Sequence, residues 1–143
     1  MKKEINEKVL SSWVKMTTVI NNDKITCSLP FNEAMICRYL YLNRNTNVIA
    51  SQLCEWIGIQ KSQMNRTLTN MENKNLIHRV RNEEDRRQIF IVLNEEMIEV
   101  YRKQHEDVLH IVDRICDELG EDKSKEVIEM FDLISKTAKD VLE

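Results

Sequence analysis

Only three residues of this chain, Pro30, Gly58 and Gly120, are proline or glycine. So little turn chemistry excludes a sandwich or barrel of many short strands, whereas the abundant Glu, Lys, Leu, Ile, Met and Asn suit helices. The 143 residues are 42% hydrophobic and 31% charged, enough apolar material for one compact domain and too much for a disordered chain. No apolar run approaches the roughly 18–20 residues of a membrane span. The opening Met-Lys-Lys-Glu-Ile-Asn-Glu-Lys has no signal-peptide core behind it, so the expected location is the cytoplasm, with no membrane partner. Cys27, Cys37, Cys54 and Cys116 form no Cys-x-x-Cys pair, and four reduced thiols are expected.

Hydrophobic spacing divides the chain. Ile5, Val9, Leu10, Trp13, Met16, Thr17 and Ile20 recur every three or four residues, which predicts a helix over 5–22, broken by Asn21-Asn22-Asp23. Pro30 fits the first turn of a second helix with Ala34, Met35, Cys37, Tyr39, Leu40 and Leu42 at apolar positions. A short third helix runs from about Val48 to Trp56 and ends at Gly58. From Gln60 to Asn73 only Met64, Leu68 and Met71 are apolar, a narrow seam beneath a wide polar face of Gln60, Lys61, Gln63, Asn65, Arg66, Thr67 and Asn70. Those side chains can reach base edges and phosphates.

The period then changes. Ile77-His78-Arg79-Val80-Arg81 and Gln88-Ile89-Phe90-Ile91-Val92-Leu93 are rich in β-branched residues and flank Asn82-Glu83-Glu84-Asp85-Arg86-Arg87, which predicts a hairpin with a charged tip. Asn94 is expected to cap a long helix that carries Ile98, Tyr101, His105, Val108, Leu109, Val112, Ile115, Cys116 and Leu119 as far as Gly120. A last helix spans about Asp122 to Leu142, with Val127, Ile128, Met130, Phe131, Ile134, Ala138, Val141 and Leu142 on its apolar side.

Charge is segregated along this order. Residues 60–90 hold seven Lys/Arg against four Asp/Glu, while residues 91–143 hold seven against fifteen, so the net −3 conceals a region suited to a polyanion. A short helix, a turn, a polar helix and a charged hairpin form a winged helix-turn-helix, whose second helix enters a major groove and whose hairpin tip reaches an adjacent minor groove. Asp85 is expected to orient Arg86 or Arg87 through a bidentate pair. The terminal helices carry more apolar surface than so small a core can cover. Pairing of helices one, five and six between two chains would bury it and give a two-fold reader of an inverted repeat in double-stranded DNA.

The chain resembles the MarR family of transcriptional regulators over nearly its whole length. The most specific part is Leu76-Ile77-His78-Arg79-Val80-Arg81, then Asp85-Arg86-Arg87, then Val92-Leu93-Asn94, similar to the family's Leu-Ile-x-Arg lead-in, Asp-x-Arg wing and Val-x-Leu-Thr. Ser62-Gln63-Met64-Asn65-Arg66-Thr67-Leu68 resembles its recognition helix, with Arg66 where many members carry a DNA-contacting Arg. The expected DNA-binding set is therefore Gln60, Lys61, Ser62, Gln63, Asn65, Arg66, Thr67, Arg79, Asp85, Arg86 and Arg87. Asn75 replaces the usual Gly after the recognition helix and is expected in the left-handed conformation; Asn94 replaces a Thr cap and Met97 a common Gly.

The resemblance implies a mainly α fold, a winged helix-turn-helix with N- and C-terminal dimerisation helices and a small β-hairpin wing. Residues 1–143 would form a single domain, with the DNA-binding lobe at 30–93 and dimerisation helices at 1–25 and 94–143. It also implies a homodimeric repressor released by a small aromatic or anionic effector, with Trp13, Met16, Met35, Arg38 and Tyr39 lining the cleft and Arg38 as carboxylate partner. No cofactor or metal is expected. A thiol-responsive relative would use Cys27, the best-placed of the four. A metal-responsive one would need better spacing than His105 and His110, which stand about 140° apart around a helix. A helical adaptor that binds protein rather than DNA is the alternative outside the class. An enzyme is excluded, since no nucleophile elbow, phosphate loop or His-Glu-x-x-His site is present.

Overall fold

The computed structural model describes residues 1–20 and 29–143, so the predicted break at Asn21-Asn22-Asp23 and the thiol of Cys27 lie outside the described residues. The elements are α1 (Lys2–Ile20), α2 (Phe31–Leu42), α3 (Ala50–Ile57), α4 (Lys61–Asn73), β1 (Ile77–Arg81), β2 (Ile89–Leu93), α5 (Glu95–Leu119) and α6 (Glu121–Leu142). They fall into two units, Met1–His105 and Glu106–Glu143. Among the described residues, no helix is long and apolar enough to cross a membrane.

In the first unit the core joins α2, α3, α4 and the hairpin. Met64, Leu68 and Met71 are buried in it, as the seam on α4 predicts, and the outward face of that helix stays wet. On α2 the buried set differs from expectation. Ile36 and Tyr41 join Ala34, Cys37 and Leu40 inside, Met35 and Tyr39 are only half-buried, and Leu42 is exposed. The helix is apolar on nearly every side, so periodicity alone does not choose its inward face; packing against α3, α4 and β2 does.

The third helix begins later than its apolar spacing predicts. Ile49 is extended at φ −111°, ψ 159°, the Ile91 N–H donates to the Val48 carbonyl at 2.8 Å, and Ile49 bridges Phe90 in antiparallel fashion. Two consecutive β-branched residues beside an open strand edge pair with that edge more readily than they start a helix. Gln52 Oε1 then accepts the Ile49 N–H at 2.9 Å and closes the helix start. Gly58, at φ 81°, ends the helix with its N–H on the Cys54 carbonyl at 2.8 Å.

Asn75 adopts φ 60°, the left-handed position expected of it. Asn94 stands just before α5, at the expected cap position, but its side chain is used elsewhere: its amide donates to the Asn75 carbonyl at 2.7 Å and its Oδ1 meets His78 Nδ1. It ties the base of the hairpin to the turn after α4, and its backbone carbonyl receives the N–H groups of Met97 and Ile98. Cys37 is buried, Cys54 is half-buried and Cys116 is exposed.

Glu33, in the first turn of α2, is 5% exposed, and both its oxygens accept from Lys74 Nζ at 3.0 Å, at the C-cap of α4. Lys74→Met strands that carboxylate in the core. Breaking a fully buried pair costs about 3–5 kcal/mol. The Lys74 side chain is half-exposed and water reaches it, so about 2 kcal/mol is expected. Denaturant unfolding measures this; Glu33→Leu added to Lys74→Met should recover most of the loss, and an unmoved midpoint in the single variant contradicts the pairing.

The end helices are different in kind. Neither α1 nor α6 has a buried residue. Trp13 on α1 is 60% exposed, and Phe131 and Ile134 on α6 are 50% and 57% exposed. In the second unit, Ile111, Ile115 and Leu119 line an open apolar groove of about 500 Å³ on α5, between Arg114 and Glu118.

Candidate nucleic-acid interface

The turn at Gly58 delivers the chain into α4 with Gln60 as its extended N-cap residue. Burying Met64, Leu68 and Met71 turns the opposite face outward. Gln60, Lys61, Ser62, Gln63, Asn65 and Arg66 are all exposed there. Thr67 is half-buried at the margin, its hydroxyl donating to the Gln63 carbonyl at 2.9 Å.

The hairpin pairs Ile77 with Leu93, Arg79 with Ile91 and Arg81 with Ile89. Ile77, Ile91 and Leu93 face the core, which sends residues 82–88 outward as a tip. Internal bonds shape that tip. Asn82 N–H donates to the Gln88 carbonyl at 3.0 Å, and Asn82 Oδ1 accepts the Glu84 N–H at 2.9 Å. Arg81 Nη1 donates to the Arg86 carbonyl at 2.9 Å. The expected pairing of Asp85 with a tip guanidinium is corrected by the structure: Asp85 Oδ1 accepts the Arg87 backbone N–H at 3.1 Å. A short carboxylate two residues before an N–H closes an Asx turn without leaving its own loop. Arg86 and Arg87 are exposed.

Between tip and helix runs a groove of about 390 Å³, walled by the start of α3 at Ala50 and Ser51, by Lys61 and Asn65 of α4, and by Arg79, Arg87 and Gln88 of the hairpin. Lys61, Arg79 and Arg87 stand there beside Ile49, Leu68, Ile89 and Ile91, so the groove is an apolar trough with cations in its wall. Lys74, the other cation at the end of α4, is held by Glu33. Nothing in the sequence marks that pair, since its partners are 41 residues apart and follow no period.

The five residues expected around an effector are not gathered by any described contact. Trp13 and Met16 stand exposed on α1, and Met35, Arg38 and Tyr39 are half-buried on α2. Tyr39 packs instead at a tilt against Trp56, which the apolar spacing marks only as the end of a short helix, with centroids 5.1 Å apart. Nearby in sequence, Tyr41 packs against Tyr101 at 5.2 Å and His105 at 5.7 Å, with the Arg44 guanidinium 4.4 Å above its ring. On α5 the hydrogen bond from Arg102 and its charge hold the Glu99 carboxyl below the usual carboxylate range.

The family model described as transcriptional regulator SarA/Rot matches residues 18–104, a span that runs from α1 through α4 and the hairpin into α5. The chain belongs to the SarA/Rot family of transcriptional regulators. Solved structures with the same fold are MarR-type regulators, as the wing motif implied. FabT of Streptococcus pneumoniae, solved in complex with DNA, superposes with a TM-score of 0.73 at 19% identity, covering 99% of each chain. AbsC, a MarR family regulator from Streptomyces coelicolor, gives 0.76 at 23% identity and 93% of each chain. MarR from Oenococcus oeni gives 0.71 at 18% identity, covering 94% of this chain and 98% of its own. No curated protein sequence matches the chain. Fold and family are those of transcriptional regulators, which are not enzymes.

Proposed function

We propose that this SarA/Rot-family chain is a cytoplasmic, homodimeric repressor that reads an inverted repeat, with α4 in the major groove and the hairpin tip in the adjacent minor groove. The observation that carries the reading is the exposed set of Gln60, Lys61, Ser62, Gln63, Asn65 and Arg66 at the start of α4, together with the groove shared with the hairpin and the exposed Arg86 and Arg87 of the tip. FabT, solved in complex with DNA, has the same fold. The dimer is supported by α1 and α6, which bury nothing within one chain. Residues 30–93 then serve as the DNA-binding lobe and the end helices as the dimer body. Release by a small aromatic or anionic effector works by differential affinity: a ligand that prefers a half-site spacing the operator cannot match lowers DNA affinity by that preference. Arg38, half-buried on α2, is the proposed carboxylate partner.

Arg66→Ala tests the reading at its centre. Loss of a bidentate base contact is expected to cost about 1–3 kcal/mol and to relax preference at one base pair of each half-site. An unchanged selected sequence logo removes Arg66 from base reading.

A further inference from the structure

We infer that Arg79 is a positioning residue that braces the wing against the reading helix, and that its effect on DNA is exerted through α4 rather than by touching DNA; this rests on the two-groove reading above. Arg79 Nη2 lies 3.3 Å from the Asn65 carbonyl and 3.3 Å from Thr69 Oγ1, both on α4. The Thr69 hydroxyl donates in turn to the Asn65 carbonyl at 2.9 Å, so strand, hydroxyl and helix backbone form one closed set of bonds.

The position of Arg79 along the hairpin gives those bonds leverage. β2 is held on its outer side by the bond from Ile91 to the Val48 carbonyl and by the Ile49–Phe90 bridge. β1 is the other edge. Its last fully buried residue is Ile77, Arg79 is half-buried, and Val80 and Arg81 are exposed, so Arg79 is the outermost tether of that strand. The tip arginines begin roughly 12 Å farther out at about 3.3 Å per strand residue. A swing of about 10° at Arg79 would move them by about 2 Å, a third of the roughly 6 Å width of a minor groove. The guanidinium also forms part of the wall of the groove that Lys61 and Arg87 line.

The test uses the full-length protein and the duplex fragment most enriched from its source genome. Arg79→Gln should weaken binding at least tenfold at every salt concentration, with the slope of log affinity against log salt unchanged. Thr69→Val, which removes the hydroxyl that meets Arg79 and keeps the shape, should give part of that loss and add nothing to Arg79→Gln. In the DNA-free proteins, amide exchange of the tip residues 82–88 should accelerate in both variants while α2 exchange stays as in the native protein. A slope smaller by about 1.8, one phosphate in each half-site, with Thr69→Val neutral makes Arg79 a phosphate contact and overturns the inference. Exchange accelerated throughout the core makes it merely structural and overturns it equally. If the native protein shows no salt-dependent binding to its fragment, the DNA reading fails, and the exchange measurement alone decides whether Arg79 braces the wing.

Discussion

Replacing Phe131 and Ile134 with glutamate is expected to leave a folded monomer that binds its operator about 10²–10⁴-fold more weakly, the loss that follows when two linked half-site contacts become one. Both side chains are at least half-exposed on a helix with no buried residue. Single soluble chains seldom leave apolar patches larger than a few hundred Å² uncovered, because each Å² withdrawn from water contributes about 25 cal/mol. A C2 pairing covers the same patch on both partners at once, so one substitution acts twice, placing like charges face to face. Sedimentation should show the native dimer and the variant monomer at micromolar concentration, with the variant's helical content retained. A variant that stays dimeric with unchanged DNA affinity would mean that this face of α6 does not form the dimer.

Removing Arg86 and Arg87 together is expected to weaken binding of the dimer roughly 10⁴-fold, at about 1.5 kcal/mol for each charge-assisted hydrogen bond to the duplex that disappears from its two wings. The slope of log affinity against log salt should shrink by about 3.6, since each neutralised phosphate contributes about 0.9 and the two wings lose two cations each. The tip should keep its shape, because its bonds use the Arg86 carbonyl and the Arg87 N–H, which alanine retains. The negative potential of a narrow A·T minor groove is the field these guanidinium groups would enter. An unchanged slope would place the tip away from the duplex.

The exposed face of α4 and the hairpin, where DNA is proposed to bind, were legible in the sequence because their signals are local. A seam of Met64, Leu68 and Met71 beneath polar residues, and a switch from helical to alternating spacing at Ile77, need no knowledge of distant partners. What stayed hidden depends on long-range pairing. Val48 and Ile49 look like the start of a helix until β2 lies beside them. Glu33 looks like a solvated first-turn acid until Lys74 closes on it, and Arg79 looks like a free wing cation until α4 supplies its two acceptors. Asp85 shows the reverse case, in which a local turn competes successfully with the ion pair that charge alone suggests.

Whether this chain recognises DNA by sequence through α4 and the wing is decided by selecting bound fragments from the source genome with the purified protein, beside an Arg66/Arg86/Arg87→Ala variant shown to be folded and of the same oligomeric state. An inverted repeat with half-sites about one helical turn apart, enriched by the native protein alone, is the predicted result. Equal recovery by both proteins, or no enrichment by either, would contradict the claim and leave a helical adaptor as the better account.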